Sequence, residues 1–266
     1  MGLRLNGLPC LRLEHYKALF RSRITDTLKT KMVTIQASEP IYIFQMGKVG
    51  SVSVQDTLAG SLSNKIVHAH CFEEMSQEDQ ELLTSRHSAG LPITVITPVR
   101  EPLSRNVSAF FQTFKRDTGF EFTARPWNQD ELLTLFLQRY PHEESLDWFD
   151  ISFRPMIGLD IYAEPFPRQQ KWQVYTRGSF KVLIYRTDLS RQEQLAVIAG
   201  FVGCKVDAWI MGNRAEDKDY AEIYRAFCAS AILPEDYISR MSASRFYRHF
   251  WSEDEINANA DRWRRR

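Results

Sequence analysis

The sequence predicts an α/β fold with a central parallel sheet flanked by helices. Short apolar runs rich in β-branched and aromatic residues recur at "PIYIFQM" (40–46), "KIVHAHCF" (65–72) and "PITVITPV" (92–99), and such runs read as buried strands. Each is followed by a more polar stretch with helix-opening residues. The third run is apolar throughout, as in a parallel sheet covered on both faces. Strands alternating with helices in this way point to a parallel sheet.

Taken in order, residues 1–37 are a mixed basic lead-in with helical character around 14–20, and 38–266 form a single domain. "SVSVQDTLAGSL" is expected to open a helix at Ser51, whose hydroxyl suits a cap. "SQEDQELLTSRH" reads as an exposed helix capped by Ser76, with acids in its first turn. "EPLSRNVSAFFQTFKRD" is the helix after the third strand. A mostly helical insertion is expected over about 120–167. "WQVYTRGSFKVLIYR" holds one or two strands around an Arg-Gly-Ser turn, and the chain after Asp188 is largely helical.

Composition narrows the function classes. The 266 residues carry a formal net charge of +1, so global charge gives no argument for nucleic acid, and any anion site must be local. Cys10, Cys71, Cys204 and Cys228 show no CxxC spacing, which argues against a disulfide or zinc framework. No apolar run is long enough to span a bilayer. The N-terminal stretch lacks the continuous apolar core of a signal peptide, and Asn6 stands where a myristoylation signal needs Ser or Thr. A cytoplasmic enzyme is the simplest expectation.

The most informative stretch is "FQMGKVGSVS" (44–53), placed between a strand and a helix. That position aims backbone N–H groups and a helix dipole at one point, which suits a phosphate or sulfate. Gly47 and Gly50 allow close backbone approach, Lys48 supplies charge, and Ser51 and Ser53 supply hydroxyls. The GxxxxGK[ST] loop of nucleoside triphosphatases is absent. The alternative is a plain glycine turn with serine capping. The second stretch is "PVREPLSRNVSAFF" (98–111). Arg100 ends the third strand, where open α/β sheets bind ligands. Arg105 and Ser108 are three apart and share a helix face. Arginine plus serine offers a bidentate fork and a hydroxyl to a phosphate monoester. Surface arginines on a helix are the alternative, and Arg105 fits that better than Arg100 does.

Together the two stretches resemble the cofactor signatures of sulfotransferases, most of all the carbohydrate sulfotransferases and a bacterial group associated with capsular polysaccharide synthesis. "GLDIYAEPFP", "VLIYRTDLS" and "SRFYRHFWSEDE" add to the likeness, which runs from about residue 40 to 263. Val52 departs from the small or hydroxyl residue expected there. The resemblance implies a three-layer sandwich of the P-loop nucleoside triphosphate hydrolase-like type. It implies 3′-phosphoadenosine 5′-phosphosulfate (PAPS) as donor and adenosine 3′,5′-bisphosphate as product. It implies that Lys48, Val49, Gly50, Ser51, Val52 and Ser53 hold the 5′-phosphosulfate, and that Arg100 and Ser108, supported by Arg105, hold the 3′-phosphate. Sulfuryl transfer needs no metal, so a lysine within the loop can stabilise charge on the leaving phosphate.

His68 and His70 are two apart and face one side of the second strand. Neutral imidazole suits removal of a proton from an acceptor hydroxyl. Sulfotransferases acting on heparan 2-hydroxyls carry a similar His-x-His whose second histidine is the base, which implies His70 as base, with His68 orienting it or binding acceptor. Two alternatives stay open: a hydrogen-bonded structural pair, and a metal site with Glu73 or Glu74. Trp172 or an aromatic near Phe246 is a candidate for stacking on adenine, but both suit the core better. Arg168, Lys171 and Arg186 are candidates to face an acidic acceptor, and Ser244 or Arg245 to lie over the cofactor. The expected reaction is transfer of a sulfuryl group to a hydroxyl, most naturally on a saccharide. A kinase-like phosphotransferase on the same fold and a nucleotide-binding module without catalysis are the alternatives.

Overall fold

The structure is a computed structural model that describes residues 36, 39–212 and 219–264. The helix expected around 14–20 lies outside the described residues. Five strands form one sheet in the order β2-β1-β3-β5-β4: β1 (Ile41–Phe44), β2 (Ile66–Ala69), β3 (Ile93–Val99), β4 (Trp172–Arg177) and β5 (Phe180–Arg186). β1 pairs parallel with β2 and with β3, and β3 parallel with β5. β4 runs antiparallel to β5, with Trp172 opposite Tyr185. The expected parallel sheet therefore carries one antiparallel edge strand, joined through Gly178 at φ 54°, a conformation that costs glycine little.

Alternation along β1 builds the layers. Tyr42 and Phe44 face one core and Ile41 and Ile43 the other, as a period of two requires. On the Ile43 side lie α1 (Ser51–Ser61) through Val54 and Leu58, and α7 (Arg191–Val202) through Val197, Ile198 and Phe201. On the Phe44 side lie α2 (Gln77–Ser88), through Leu83, and the later part of the insertion, through Trp148, Phe149, Phe153 and Ile157. The insertion comprises α4 (Gln129–Arg139), α5 (Glu144–Trp148), one π turn (Phe149–Phe153) and α6 (Arg154–Ile157). The helix after β3, α3 (Pro102–Thr118), packs Val107, Phe110, Phe111 and Phe114 into a separate helical core. That core is shared with α4, α8 (Ala221–Ser230), α9 (Glu235–Ser242) and α11 (Glu253–Arg264). α10 (Arg245–Phe250) returns Phe246 and Phe250 to the sheet.

Helix starts follow the expected chemistry. Ser76 accepts the Asp79 N–H and so caps α2. The Glu101 carboxylate accepts the N–H groups of Leu103 and Ser104 at 2.9 and 2.8 Å and caps α3. α1 differs. Its cap position is Gly50, not Ser51, and no side chain caps it and no acid stands in its first turn. No described helix is long and apolar enough to cross a membrane.

The strand order fixes where a ligand can sit. From β1 the chain moves outward to β2, then crosses back to β3 on the other side of β1. Open sheets bind ligands outside the carboxyl ends of their strands at such a switch point. The loop 45–50 leaves β1 there and Arg100 leaves β3 there.

Candidate active site

The loop after β1 is held by three residues in the left-handed region: Gly47 (φ 80°), Lys48 (φ 61°) and Gly50 (φ 74°). This is the backbone pattern that curls successive N–H groups around an anion. The first-turn N–H groups of α1, from Ser51 to Ser53, have no intrahelical acceptor and point with the positive end of the helix dipole. A left-handed lysine costs about 1–2 kcal/mol; such outliers gather where function needs the geometry.

Residues distant in sequence shape this loop. Gln45 is fully buried and its Oε1 accepts the Gly47 N–H. Its amide nitrogen lies 3.3 Å from His68 Nε2. An amide NH2 only donates, so His68 Nε2 is the acceptor there. Ser51 Oγ lies 2.8 Å from the same nitrogen and so donates to it as well. Both the Ser51 hydroxyl and the His68 lone pair are thus spent on each other. Burial holds the His68 imidazole below its ordinary range, and neighbouring His70 pushes the same way. His68, a candidate to orient the base or bind acceptor, is here a strut between β2 and the loop.

Ser53 is also engaged. Its Oγ accepts the Gly212 N–H at 3.1 Å and donates to the Gly212 carbonyl at 3.3 Å. Thr57 and Ser61 accept the N–H groups of Ile210 and Asp207 at 2.8 and 3.3 Å. Three hydroxyls spaced four apart on α1 therefore fasten an extended strap, 207–212, along the helix that leaves the loop. Of the residues expected to touch the phosphosulfate, Ser51 and Ser53 offer their backbone N–H groups to the loop while their hydroxyls are committed elsewhere.

Arg105 departs most from its expected place. Its side chain is buried and reaches back to the first motif. Its guanidinium donates to the Met46 carbonyl at 2.6 Å and the Gly47 carbonyl at 3.2 Å. It also donates to Tyr140 Oη and Asn106 Oδ1. It supports the loop, not a site shared with Ser108. Burial disfavours its charged form, yet an arginine does not deprotonate, so a positive charge stands under the loop among neutral oxygens. Arg100 donates to the Lys48 carbonyl at 3.2 Å and joins the two motifs directly.

Ser108 is buried and its side chain lies close enough to the Tyr224 hydroxyl of α8 to influence it, as does the Arg100 charge. Burial raises the Tyr224 pKa, so its hydroxyl stays neutral. Arg100, Ser108 and Tyr224 form a second polar cluster beside the loop. Tyr224 escaped sequence reasoning; its one signal is the spacing of Tyr220 and Tyr224 on a helix. Gln45 carried no signal beyond its place at the end of a strand.

His70 lies just past β2, its side chain 45% exposed. Its ring stands edge-on to His68 at 5.6 Å. A Cβ added to Gly47 would come within 3.5 Å of His70 Nε2, so that nitrogen borders the loop. The Trp148 indole N–H donates to the His70 carbonyl at 2.6 Å and fixes the backbone.

The peripheral candidates lie elsewhere in function. Trp172 and Phe246 are core residues, 2% and 1% exposed, and have no face to offer an adenine. Arg186 is buried against Asp188 and Glu255, Lys171 pairs with Asp188, and Arg168 donates to carbonyls of α10. Ser244 caps α10, and Arg245 pairs with Asp150 over the Tyr162 ring. Among the described residues no cluster of three His, Cys, Asp or Glu has the arrangement of a metal site. No family profile, curated protein or solved structure matches the chain.

Proposed function

We propose that the protein is a sulfotransferase that moves a sulfuryl group from 3′-phosphoadenosine 5′-phosphosulfate to a hydroxyl, on a saccharide by the resemblance, within a P-loop-like fold. The observation that carries this reading is the convergence at the β1/β3 switch point. A left-handed loop, an uncapped helix start and the cations Lys48, Arg100 and Arg105 meet there, with a histidine at the rim.

Each part has a role in that chemistry. N–H groups of Val49, Gly50, Ser51, Val52 and Ser53 receive the 5′-phosphosulfate. Lys48 offsets charge developing on the leaving phosphate. Arg100 and Ser108, with Tyr224 behind them, take the 3′-phosphate that separates this donor from ATP. His70 accepts the proton of the attacking hydroxyl. The Ser51 hydroxyl, which a magnesium-centred loop would turn to the metal, is turned to His68 instead.

Calorimetry with adenosine 3′,5′-bisphosphate, 5′-AMP and ATP with magnesium tests the reading. Tight binding of the bisphosphate without metal, weakened at least tenfold in Arg100→Ala, is the expected result. Equal binding of 5′-AMP removes the sulfotransferase reading. Preference for ATP with magnesium favours phosphoryl transfer. Tight bisphosphate binding with no turnover of the phosphosulfate leaves a binding module.

A further inference from the structure

We propose that Glu74 is a positioning residue that holds His70 in the tautomer presenting an unprotonated Nε2 to the anion loop. The chemistry of this assignment rests on the sulfuryl-transfer reading; the tautomer itself rests on geometry alone.

A tight turn, Phe72–Glu74, follows β2 and folds Glu74 back against His70. One oxygen, Oε2, accepts twice: from the His70 backbone N–H at 3.0 Å and from Nδ1 at 2.7 Å. The backbone bond fixes where the carboxylate stands, and the carboxylate then fixes the ring. Burial alone would raise the Glu74 pKa, but the bonds from the His70 backbone and ring outweigh it and hold the carboxyl below its ordinary range. Glu74 is therefore ionised at neutral pH and can only accept. Nδ1 must carry the hydrogen, and in a neutral ring Nε2 then carries the lone pair.

The two histidines are thus sorted by their partners. His68 Nε2 receives Ser51 and Gln45. His70 Nε2 stands at the loop, near Gly47. In the transfer step the acceptor oxygen bonds to sulfur as its proton passes to His70 Nε2. The bridging S–O bond breaks, and its electron pair leaves on the 5′-phosphate of adenosine 3′,5′-bisphosphate. The resulting imidazolium keeps its Nδ1–H on the Glu74 carboxylate, which lowers the cost of the positive charge.

The test uses the full chain with 15N-labelled histidine at about pH 8.5, where imidazoles are neutral. Two-bond 1H–15N correlations assign each ring tautomer. The wild type should show His70 protonated at Nδ1. Glu74→Ala should lose that preference, and Glu74→Gln, whose amide oxygen can still accept, should retain it. A wild-type ring protonated at Nε2, or a tautomer unchanged in Glu74→Ala, overturns the proposal. Single-turnover release of sulfate from 3′-phosphoadenosine 5′-phosphosulfate, with water as the attacking hydroxyl, gives the second readout. Glu74→Ala should slow it by about 10- to 100-fold, a fraction of what a general base contributes, with Glu73→Ala as the unaffected neighbour. An unchanged rate in Glu74→Ala also refutes the role. Calorimetry of the bisphosphate on the same samples reports separately on the sulfotransferase reading, because Glu74 has no part in nucleotide binding.

Discussion

Replacing Arg105 by alanine should damage both stability and the loop after β1, and the two losses can be measured apart. The guanidinium makes bonds to the carbonyls of Met46 and Gly47, to Tyr140 Oη and to Asn106 Oδ1. Hydrogen bonds from charged donors are worth about 1.5–3 kcal/mol each, and a buried carbonyl left without a donor costs about 1–3 kcal/mol. Against this, removing the arginine returns the several kcal/mol, roughly, that its desolvation costs. A net loss of about 2–4 kcal/mol follows, within the range of broken buried networks. At about 2–4 °C per kcal/mol for a chain of this size, Tm should fall by roughly 5–15 °C. Because two of the bonds hold loop carbonyls, adenosine 3′,5′-bisphosphate should bind at least tenfold more weakly, a cost of about 1.4 kcal/mol or more. Tyr140→Phe is the control: it removes one of the four acceptors and no loop carbonyl, so it should cost about 1.5–3 kcal/mol and leave affinity alone. The assays are thermal unfolding and calorimetry. If Arg105→Ala loses the expected stability but binds the bisphosphate within twofold of wild type, the loop does not depend on this arginine and the reasoning fails.

Three further outcomes follow from the same structure. Lys48→Ala and Lys48→Gly should both abolish turnover with far smaller effects on bisphosphate affinity. Lys48→Gly should also be the more stable of the two by up to about 1 kcal/mol, because glycine accepts φ 61° without strain; equal Tm values would count against strain at this position. Gly212→Ala would place a Cβ 2.2 Å from Asp56 Oδ2 and 2.9 Å from Val52 Cγ1; the Asp56 side chain can swing away, but the branched Val52 beside it should lift the strap from α1. Limited proteolysis should then cut within 207–212 faster than in wild type, and an unchanged pattern would show the strap is not held there. Finally, burial holds the imidazoles of His68 and His142 below their ordinary range, and burial with the charges of Arg168 and Arg245 pushes His249 down to about 4. The unfolded chain protonates first, near pH 6.5, so this stability is complete above that value and is lost as pH falls toward the folded-state values. Each histidine adds at most about 1.4 kcal/mol per pH unit. His249→Phe, in an aromatic setting of Tyr162, Phe166 and Phe250, should flatten the fall of Tm with acid; an unaltered slope would remove His249 from the account.

The elements were legible because their signals are local. Short apolar runs rich in β-branched and aromatic residues gave β1, β2 and β3, and Ser76 marked its helix to the residue. The adjacency of the two motifs was legible too, since a parallel sheet brings strand ends to one edge. What sequence could not carry was the destination of long side chains. Helical spacing placed Arg105 and Ser108 on one face, but the guanidinium spans from α3 to carbonyls 58 and 59 positions earlier. Ser53 looked available until Gly212, 159 positions away, took its hydroxyl. Ser51 looked like a cap, but Gly50 takes that place with φ 74°, and the serine turns to His68. A local pattern encodes an element and its face, and the partner across the fold leaves no mark in it.

The contrast between two buried arginines bears most directly on the site. Arg186 is enclosed by Asp188 and Glu255, both within ion-pair distance, and its guanidinium also faces the Trp251 ring at 4.8 Å. That charge is neutralised inside the protein, as buried charges ordinarily are. Arg105, equally buried, has its four hydrogen bonds among the described residues on neutral oxygens. A like charge, Arg100, hydrogen-bonds the same loop and disfavours the Arg105 cation further. The fold can supply carboxylates to a buried guanidinium, yet Arg105 has none among its hydrogen-bond partners and feels Glu144 only through space, so its charge is weakly compensated beneath a loop whose Lys48 is held in the left-handed region. Both features destabilise the ligand-free protein, and an anion in the loop relieves the charge. Binding there should therefore stabilise the chain at the place where its own residues leave it weakest.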